Sequence, residues 1–234
     1  MRVCFSQPSF IPWGGFFCRL MLSDVMVLLD DTLFAQGFTF VNRNRLKGHD
    51  GEIWITVPVK KIPGKRQKIR SLKIHEPEYW GMKWKKTLYH AYKKSQYFDE
   101  INSEITKIVG DNGNQFLDMM VQFIEFLKSE LDIATPLRLQ SNIGIKSSGI
   151  QLIMDIAEYL AADEVILPYF SKGIIPWKQL EKNGIQVRFL YFFSPVYPQF
   201  WGHFLKNLSI LDLLFCMGKE SRRVLENGFK IISF

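Results

Sequence analysis

The segment RVCFSQPSFIPWGGFFCRLMLSDVMVLLDD, at residues 2–31, indicates the fold class most clearly. Residues 2–6 predict a short strand, and residues 16–22 predict about two turns of helix after a loop that contains proline and glycine. Residues 25–29 form a continuous apolar run, which is typical of a strand buried on both faces. A strand, loop, helix and strand within about 30 residues predict a βαβ unit with a parallel pair of strands.

The rest of the chain continues this alternation around a helical middle. Further extended segments are predicted at 38–42, 53–57, 137–140, 165–167 and 186–192, and further helices at 83–94, 99–109, 115–131 and 149–161. The prediction is an α/β fold with a central, mostly parallel sheet built from strand-loop-helix units and a helical middle region at about 83–131. A chain of 234 residues is expected to form one domain, 1–234.

Composition and charge exclude several classes of protein. With 47% hydrophobic and 23% charged residues, the chain resembles packed proteins rather than disordered or fibrous ones. Cysteines without CxxC spacing and scattered histidines predict neither a disulfide framework nor a metal site. No apolar run approaches the roughly 20 residues that cross a bilayer, and prolines interrupt any signal peptide, so a cytoplasmic protein is expected. The net charge of +7 favours anionic partners.

Polar and aromatic residues follow the first strand, at the sheet edge where open parallel sheets bind ligands. Gln7 is placed to orient a polar group, and Trp13 to stack on a flat one. Gly14 lets the backbone approach a ligand, and the helix after it directs amides and its positive dipole end at a phosphate or carboxylate. A tight aromatic-proline turn that only packs explains the same residues, because no phosphate-loop fingerprint is present.

Two acidic residues close the second strand. Asp30 and Asp31 stand where a carboxylate can hold magnesium or act as a general base, and Asp31 is the first catalytic candidate. The alternative is that the two aspartates simply end the strand, since aspartate is common in turns.

The segment Asn42-Arg43-Asn44-Arg45 is a sharper candidate for anion binding. In an extended chain Arg43 and Arg45 point to one face, and Asn42 and Asn44 point to the other. Two guanidinium forks on one face can clamp a phosphate or a carboxylate, and the spacing does not choose between them. A solvated strand end would carry the same residues.

A basic loop is predicted at residues 60–70, where six Lys or Arg residues surround a proline and a glycine. Specific nucleic-acid binding is not expected, because no recognition helix, zinc knuckle or ribonucleoprotein motif accompanies the loop. The sequence leaves open whether the loop closes over a ligand.

A second strand-loop-helix rim is predicted near the C-terminus. Tyr197, Gln199 and Asn207 follow a strand there and precede a helix. Ser209 and Asp212 begin that helix with a capping-box pattern. Helix capping explains Ser209 and Asp212 but leaves the other three residues as candidates for binding.

Together these segments resemble the WbqC-like family of bacterial proteins over nearly the whole chain. The resemblance is carried by QPSFIPWGGFF at 7–17, SDVMVLLDD at 23–31, FVNRNRLK at 40–47, WITVPVK at 54–60, KTLYHAYKKSQYF at 86–98 and SPVYPQFWGHFLKNLSILDLLFCMG at 194–218. Family members are often encoded with genes for surface polysaccharides, notably O-antigen. The resemblance therefore implies a role in building or decorating a glycan, through acyl or aminoacyl transfer to an amino sugar. It also implies a site that includes Gln7, Trp13, Asp31, Asn42, Arg43, Asn44, Arg45, Tyr197, Gln199, Asn207 and Asp212.

The chain departs from the family at positions where relatives often carry histidine, with Trp84 and Ser194 instead. Its segment 168–173 also has a single glycine where relatives are glycine-rich. These departures argue against a histidine-dependent mechanism.

The leading prediction is a transferase or ligase of surface-glycan biosynthesis that binds a small anionic donor, such as a nucleotide-sugar or an activated acyl donor. Arg43 and Arg45 would bind anionic oxygens, Trp13 would stack, and Asp31 and Asp212 are the catalytic candidates. Magnesium with a nucleotide is a cofactor combination that the sequence leaves open. One alternative is ATP-dependent activation of a carboxylate. A different class of alternative is a non-catalytic binding or assembly factor of a polysaccharide enzyme complex.

Overall fold

In the computed structural model, residues 1–35 and 39–234 are described. The predicted βαβ unit is present as strand β1 (Arg2–Ser6), helix α1 (Gly14–Leu22) and strand β2 (Val25–Leu28). The further strands are β3 (Arg43–Gly48), β4 (Gly51–Thr56), β5 (Leu137–Leu139), β6 (Glu164–Pro168), β7 (Gln186–Phe192) and β8 (Phe229–Ile232). The further helices are α2 (Pro77–Tyr92), α3 (Phe98–Asp111), α4 (Phe116–Glu130), α5 (Gln140–Ile143), α6 (Gly149–Tyr159), α7 (Lys178–Lys182), α8 (Ile210–Met217) and α9 (Ser221–Glu226).

The central sheet has the strand order β5-β2-β1-β6-β7-β8. Its strands are parallel, with Val3 of β1 opposite both Val25 of β2 and Val165 of β6, except that β8 runs antiparallel to β7. The predicted α/β fold with a mostly parallel sheet is therefore confirmed. Strand β8 was not predicted, because its four residues FKII are too few to show a period.

The continuous apolar character of β1 and β2 follows from burial of both faces of the sheet. Val3 and Phe5 pack into one apolar layer with residues of α6 and α7. Cys4 and Met26 pack into a second layer with residues of α1, α2, α3 and α4. Successive side chains of a strand point to opposite faces, so a strand covered on both sides must be apolar at every position.

The predicted helical middle is present as α2, α3 and α4, although α2 begins at Pro77 rather than at residue 83. A proline is favourable at the start of a helix, because the first turn needs no backbone donor there. In α4 the predicted apolar stripe is buried, and it consists of Phe116, Met119, Met120, Phe123 and Leu127. Among the described helices, none is long and apolar enough to cross a membrane.

Among the described strands, β3 and β4 pair only with each other, in an antiparallel hairpin. The predicted strand at 53–57 corresponds to β4. The predicted extended segment 38–42 is wrong for residues 39–42, which form no strand, and residue 38 lies outside the described residues. Asn42 and Val57 close the open end of the hairpin, since Asn42 Nδ2 donates to the Val57 carbonyl at 2.9 Å and the Val57 amide donates to the Asn42 carbonyl at 2.7 Å.

Candidate functional site

The chain changes direction across the sheet after β1. It continues from β1 to β2 and β5 on one side, and it later returns to β6, β7 and β8 on the other side. The carboxyl ends of β1 and β6 therefore flank a topological switch point, which is where open α/β sheets bind ligands. A cavity of about 470 Å³ opens at this place, and we name it the switch-point cleft.

The switch-point cleft combines polar and aromatic walls. Its polar side chains are Ser6, Ser9, Arg19, Asn44, Arg45 and Asn207, and its aromatic ones are Trp13, Phe16, Phe40 and Phe170. Among the residues predicted from sequence, the structure thus gathers Trp13, Asn44, Arg45 and Asn207 in one cavity.

Arg19 is the buried cation of the switch-point cleft. It is only 5% exposed, its Nη1 donates to the Phe5 carbonyl at 2.6 Å, and its Nε has no hydrogen-bond partner among the described residues. Within residues 1–35 and 39–234, no acidic group lies within ion-pair distance of it. Burial lowers the pKa of Arg19. Because a buried charge without a counter-charge is unfavourable, an anionic ligand would supply what the surrounding protein does not.

Trp13 forms one wall of the cleft by packing on the backbone of α1. A Cβ atom at Gly15 would come within 2.5 Å of the indole ring, so this position requires glycine. A Cβ atom at Gly14 would meet the side chains of Phe192 and Leu225 at 2.8 Å. The indole also meets Phe192 edge to face at 5.0 Å. Neighbouring side chains therefore occupy the space beside both glycines. The approach of a ligand to Gly14 stays a prediction.

Asn44 ties the hairpin to the loop that precedes α1. The residue is 1% exposed, and its Nδ2 donates to the carbonyls of Phe10 and Ile11 at 3.1 and 2.9 Å. Its Oδ1 accepts from the Arg45 amide at 2.8 Å. In the part of the chain that the structure describes, strand β3 does not pair with the central sheet. The Asn44 side chain therefore supplies hydrogen bonds between β3 and the loop that follows β1.

Arg45 is held at the edge of the cleft by contacts on both sides. Its Nη1 pairs with Glu52 at 2.8 Å, and its Nη2 donates to the Asn207 carbonyl at 3.0 Å. Asn207 has a φ of 55°, a left-handed conformation that asparagine adopts more readily than most residues. The Nε of Arg45 has no hydrogen-bond partner among the described residues. This guanidinium group is therefore positioned before any ligand arrives.

Arg43 and Arg45 share one face of β3, as their spacing predicts. Their guanidinium carbons lie 5.2 and 5.6 Å from the centroid of the same Trp54 ring. Arg43 nevertheless lines a second cavity together with Asn42, and Arg45 lines the switch-point cleft. A single clamp for one phosphate or carboxylate would need both guanidinium groups in the same cavity.

Gln7 and Asp31 lie beyond the carboxyl ends of β1 and β2, outside the lining of the cleft. Gln7 Nε2 donates to Thr32 Oγ1 at 3.0 Å. The Asp31 side chain is 9% exposed and forms ion pairs with Lys68, at 2.7 Å, and with Arg70. Burial raises the pKa of Asp31, but hydrogen bonds from the two cations outweigh it and hold the pKa below its ordinary value. The catalytic role of Asp31 stays a prediction, and a magnesium ion there would compete with two ion pairs.

Replacing Asp31 with asparagine is expected to lower the free energy of unfolding at pH 7 by about 1 kcal/mol, because both cations are half exposed. The pKa of Asp31 is lower in the folded chain than in the unfolded one. Its contribution is therefore present above the unfolded pKa of about 3.9 and is lost as the pH falls through the folded value. Urea unfolding at pH 7 and at about pH 2 should show the difference only at pH 7. An equal difference at both pH values, or the same effect in Glu104→Gln on α3, would contradict the ion pairs.

Asp212 lies in a buried polar cluster between α8, α2 and β3. Its Oδ1 accepts from the Tyr92 hydroxyl at 2.7 Å, and its Oδ2 accepts from the Tyr197 hydroxyl at 2.8 Å. Gln199 connects this pair to Lys47, because its Nε2 donates to Tyr197 at 3.1 Å and its Oε1 accepts from Lys47 Nζ at 3.0 Å. We name these five residues the Asp212 cluster.

Burial dominates the electrostatics of the Asp212 cluster. It raises the pKa of Asp212, and hydrogen bonds from Tyr92 and Tyr197 together with the charge of Lys47 act in the opposite direction. It also raises the pKa of both tyrosines, which therefore remain hydroxyl donors. None of the five residues is among the described residues that line the switch-point cleft. Their contacts join three elements, and a catalytic role for Asp212 stays a prediction.

The capping-box pattern at Ser209 is only half right. Ser209 does begin α8, since its Oγ accepts from the Leu211 amide at 3.2 Å. The Asp212 carboxylate does not return to the Ser209 amide, which donates to the Arg45 carbonyl at 2.9 Å instead. Two buried tyrosine hydroxyls are the stronger partners for this carboxylate, because charge-assisted hydrogen bonds gain most where water is excluded.

Sequence reasoning missed Arg19 and Tyr92. Arg19 did carry a signal, because it is the one charged residue of the apolar helix GGFFCRLML and lies three positions after Phe16, on the same helix face. Tyr92 carried none, since its partner Asp212 is 120 residues away in the sequence.

The chain is similar in sequence to other proteins over most of its length. The pattern of the WbqC-like protein family matches residues 7–224, a range that contains Arg19, Arg45 and Asn207. The chain is also similar to the uncharacterized protein Rv1507c of Mycobacterium tuberculosis (strain ATCC 25618 / H37Rv). The two are 28% identical over 222 residues, which cover 94% of this chain and 95% of that protein. None of the solved structures matches the chain.

Proposed function

This chain belongs to the WbqC-like protein family, and from that premise we propose that it is a transferase or ligase of bacterial surface-glycan biosynthesis. Its substrate is a small donor that bears a phosphate or carboxylate, bound in the switch-point cleft. The reaction class we propose is transfer of an acyl or aminoacyl group to an amino sugar. The resemblance to a family encoded beside polysaccharide genes supports a role in glycan biosynthesis. The residues of the switch-point cleft support a donor with an anionic group.

The observation that carries the anionic donor is the guanidinium group of Arg19. It is buried at the switch point without an acidic partner among the described residues, and its Nε has no hydrogen-bond partner there. A phosphate or carboxylate beside it would form charge-assisted hydrogen bonds with a buried guanidinium group, where such bonds are stronger than at an exposed one. Anion binding would thus offset an unfavourable burial that the ligand-free protein retains.

Two further features of the cleft fit such a donor. Arg45 offers a second guanidinium group whose orientation Glu52 and Asn207 already fix. Trp13 and Phe170 offer ring faces for the flat or apolar part of the donor, and Phe170 is 67% exposed. The cavity volume of about 470 Å³ lies within the range of roughly 300–1,000 Å³ that is common for small-molecule sites.

The experiment that tests the proposal is a thermal-shift screen of nucleotides, nucleotide-sugars, acyl carriers and amino acids, on wild type and on Arg19→Met. At a ligand concentration about 100-fold above Kd, wild type is expected to gain about 5–10 °C in Tm. Arg19→Met should gain no more than about half of that shift, because loss of a charged hydrogen bond weakens binding by more than tenfold. Transfer is then followed by the mass gained by an amino-sugar acceptor.

Two variants make the outcome decisive. Arg223→Met removes the same charge from an exposed position on α9 and should keep the full shift. Arg45→Gln should lose part of it, and it serves if Arg19→Met does not fold. An equal shift in wild type and Arg19→Met would refute the site. No ligand in the screen, together with co-purification of a polysaccharide enzyme, would favour the non-catalytic assembly factor.

A further inference from the structure

A second cavity lies beside the open end of the hairpin, where residues 58–67 pass over it. Its volume is about 700 Å³, and no described lining residue is shared with the switch-point cleft. Phe34, Val59 and Ile62 form its apolar wall. We name it the basic cleft, for the four cationic residues that also line it, Arg43, Lys61, Lys65 and Arg66.

Three of the four cations of the basic cleft are not balanced by acidic groups among the described residues. None of the described residues that line it is acidic. In the described part of the chain, Lys61, Lys65 and Arg66 take part in no ion pair. The neighbouring cations Lys68 and Arg70 behave differently, because both pair with Asp31. Asp31 therefore partly neutralises one end of the basic loop, and the like charges at the other end repel each other around a cavity.

The loop that carries these cations is anchored to the rest of the fold. The Lys60 amide donates to the Lys73 carbonyl at 2.8 Å, and the Phe34 amide donates to the Gln67 carbonyl at 2.9 Å. Gln67 Oε1 also accepts from the Ile62 amide at 3.2 Å, which bridges the loop across its base. The cations thus surround a cavity on a loop whose two ends are held by hydrogen bonds. A run of charges on an unattached, solvated loop would lack these bonds.

We propose that the basic cleft binds the linked phosphates of a di- or triphosphate group. Two or three linked phosphates carry a charge comparable to the four cations, and each can accept hydrogen bonds from a guanidinium or an ammonium group. A single phosphate or carboxylate would leave much of the charge of Lys61, Lys65 and Arg66 uncompensated. The proposal does not rest on the proposed function, because it concerns a cavity with different walls.

The test is calorimetric titration of the full chain with tripolyphosphate, pyrophosphate and orthophosphate, used as probes without any nucleoside. At the basic cleft we expect affinity in the order tripolyphosphate, pyrophosphate, orthophosphate. The double variant Lys61→Gln and Lys65→Gln should bind tripolyphosphate at least about tenfold more weakly, since it loses two charged contacts. Both lysines are exposed, so this variant is expected to fold.

The matched control is the double variant Lys107→Gln and Lys182→Gln, which removes the same net charge from exposed positions on α3 and α7. Its affinity for tripolyphosphate should equal that of wild type. An equal loss in the control, or no binding at about 1 mM probe, would overturn the proposal. A third result would also overturn it: single-stranded RNA binds far more tightly than tripolyphosphate, and the double variant Lys61→Gln and Lys65→Gln loses this binding. The ligand would then be a nucleic acid.

Discussion

Replacing Asp212 with alanine is expected to lower the free energy of unfolding by about 3–5 kcal/mol, a large part of the stability of a typical domain. The carboxylate is fully buried and accepts hydrogen bonds from Tyr92 and Tyr197. Without it, two buried hydroxyl groups lose their acceptors, and the ammonium group of Lys47, which is 2% exposed as a residue, loses the nearby negative charge. The midpoint of urea unfolding, with the slope unchanged, measures the effect.

A double-mutant cycle separates the charge of Asp212 from its packing. Lys47→Met alone is expected to destabilise the chain, and Lys47→Met combined with Asp212→Leu should cost less than the sum of the two single changes by at least about 1 kcal/mol. Glu104→Ala, an exposed carboxylate on α3, should change stability by less than about 0.5 kcal/mol. Additive effects of the two single changes would show that Asp212 and Lys47 do not interact energetically.

Replacing Asn44 with alanine is expected to cost about 3 kcal/mol, because three buried backbone groups lose a hydrogen bond at once. These are the carbonyls of Phe10 and Ile11 and the amide of Arg45. Ile11 keeps one donor, the hydroxyl of Ser209 at 2.8 Å, which limits the loss. Urea unfolding gives the magnitude, and Asn142→Ala, an exposed change on α5, is the control.

Asn44→Ala should also increase local opening of the switch-point cleft at temperatures below the Tm of the variant. Because Asn44 joins the hairpin to the loop before α1, amide exchange of Arg45 should become faster than that of β1. If stability fell without a local change in exchange at Arg45, the asparagine would contribute to folding but would not hold the cleft together.

The fold was predictable where a strand or helix has a pattern of its own. The βαβ unit at β1, α1 and β2 followed from a continuous apolar run, and the stripe of α4 from helical spacing. The hairpin boundary was not predictable to the residue. The polar start of β3, Arg43-Asn44-Arg45, is fixed by partners on β4 and by the side chain of Asn42 rather than by apolar alternation.

The candidate site also contains residues that sequence could predict and residues that it could not. Trp13 and Arg45 were found because the topology of a parallel sheet gathers strand ends, which is a rule that sequence can apply. Arg19 was not found, because a single charge in an apolar helix does not show that the charge is buried, and burial of a helix face depends on what packs against it. The separation of Arg43 and Arg45 into two cavities likewise depends on Trp54 and on the path of residues 58–67.

The walls of the switch-point cleft come from residues far apart in the chain, from Ser6 and Trp13 to Phe170 and Asn207. A ribosome must therefore release most of the chain before the cleft exists, and β1 must wait for β6 before the centre of the sheet closes. A ligand of this cleft cannot guide the early steps of folding. It can only bind the finished protein, and it therefore prolongs the lifetime of the folded state by slowing unfolding rather than hastening its formation.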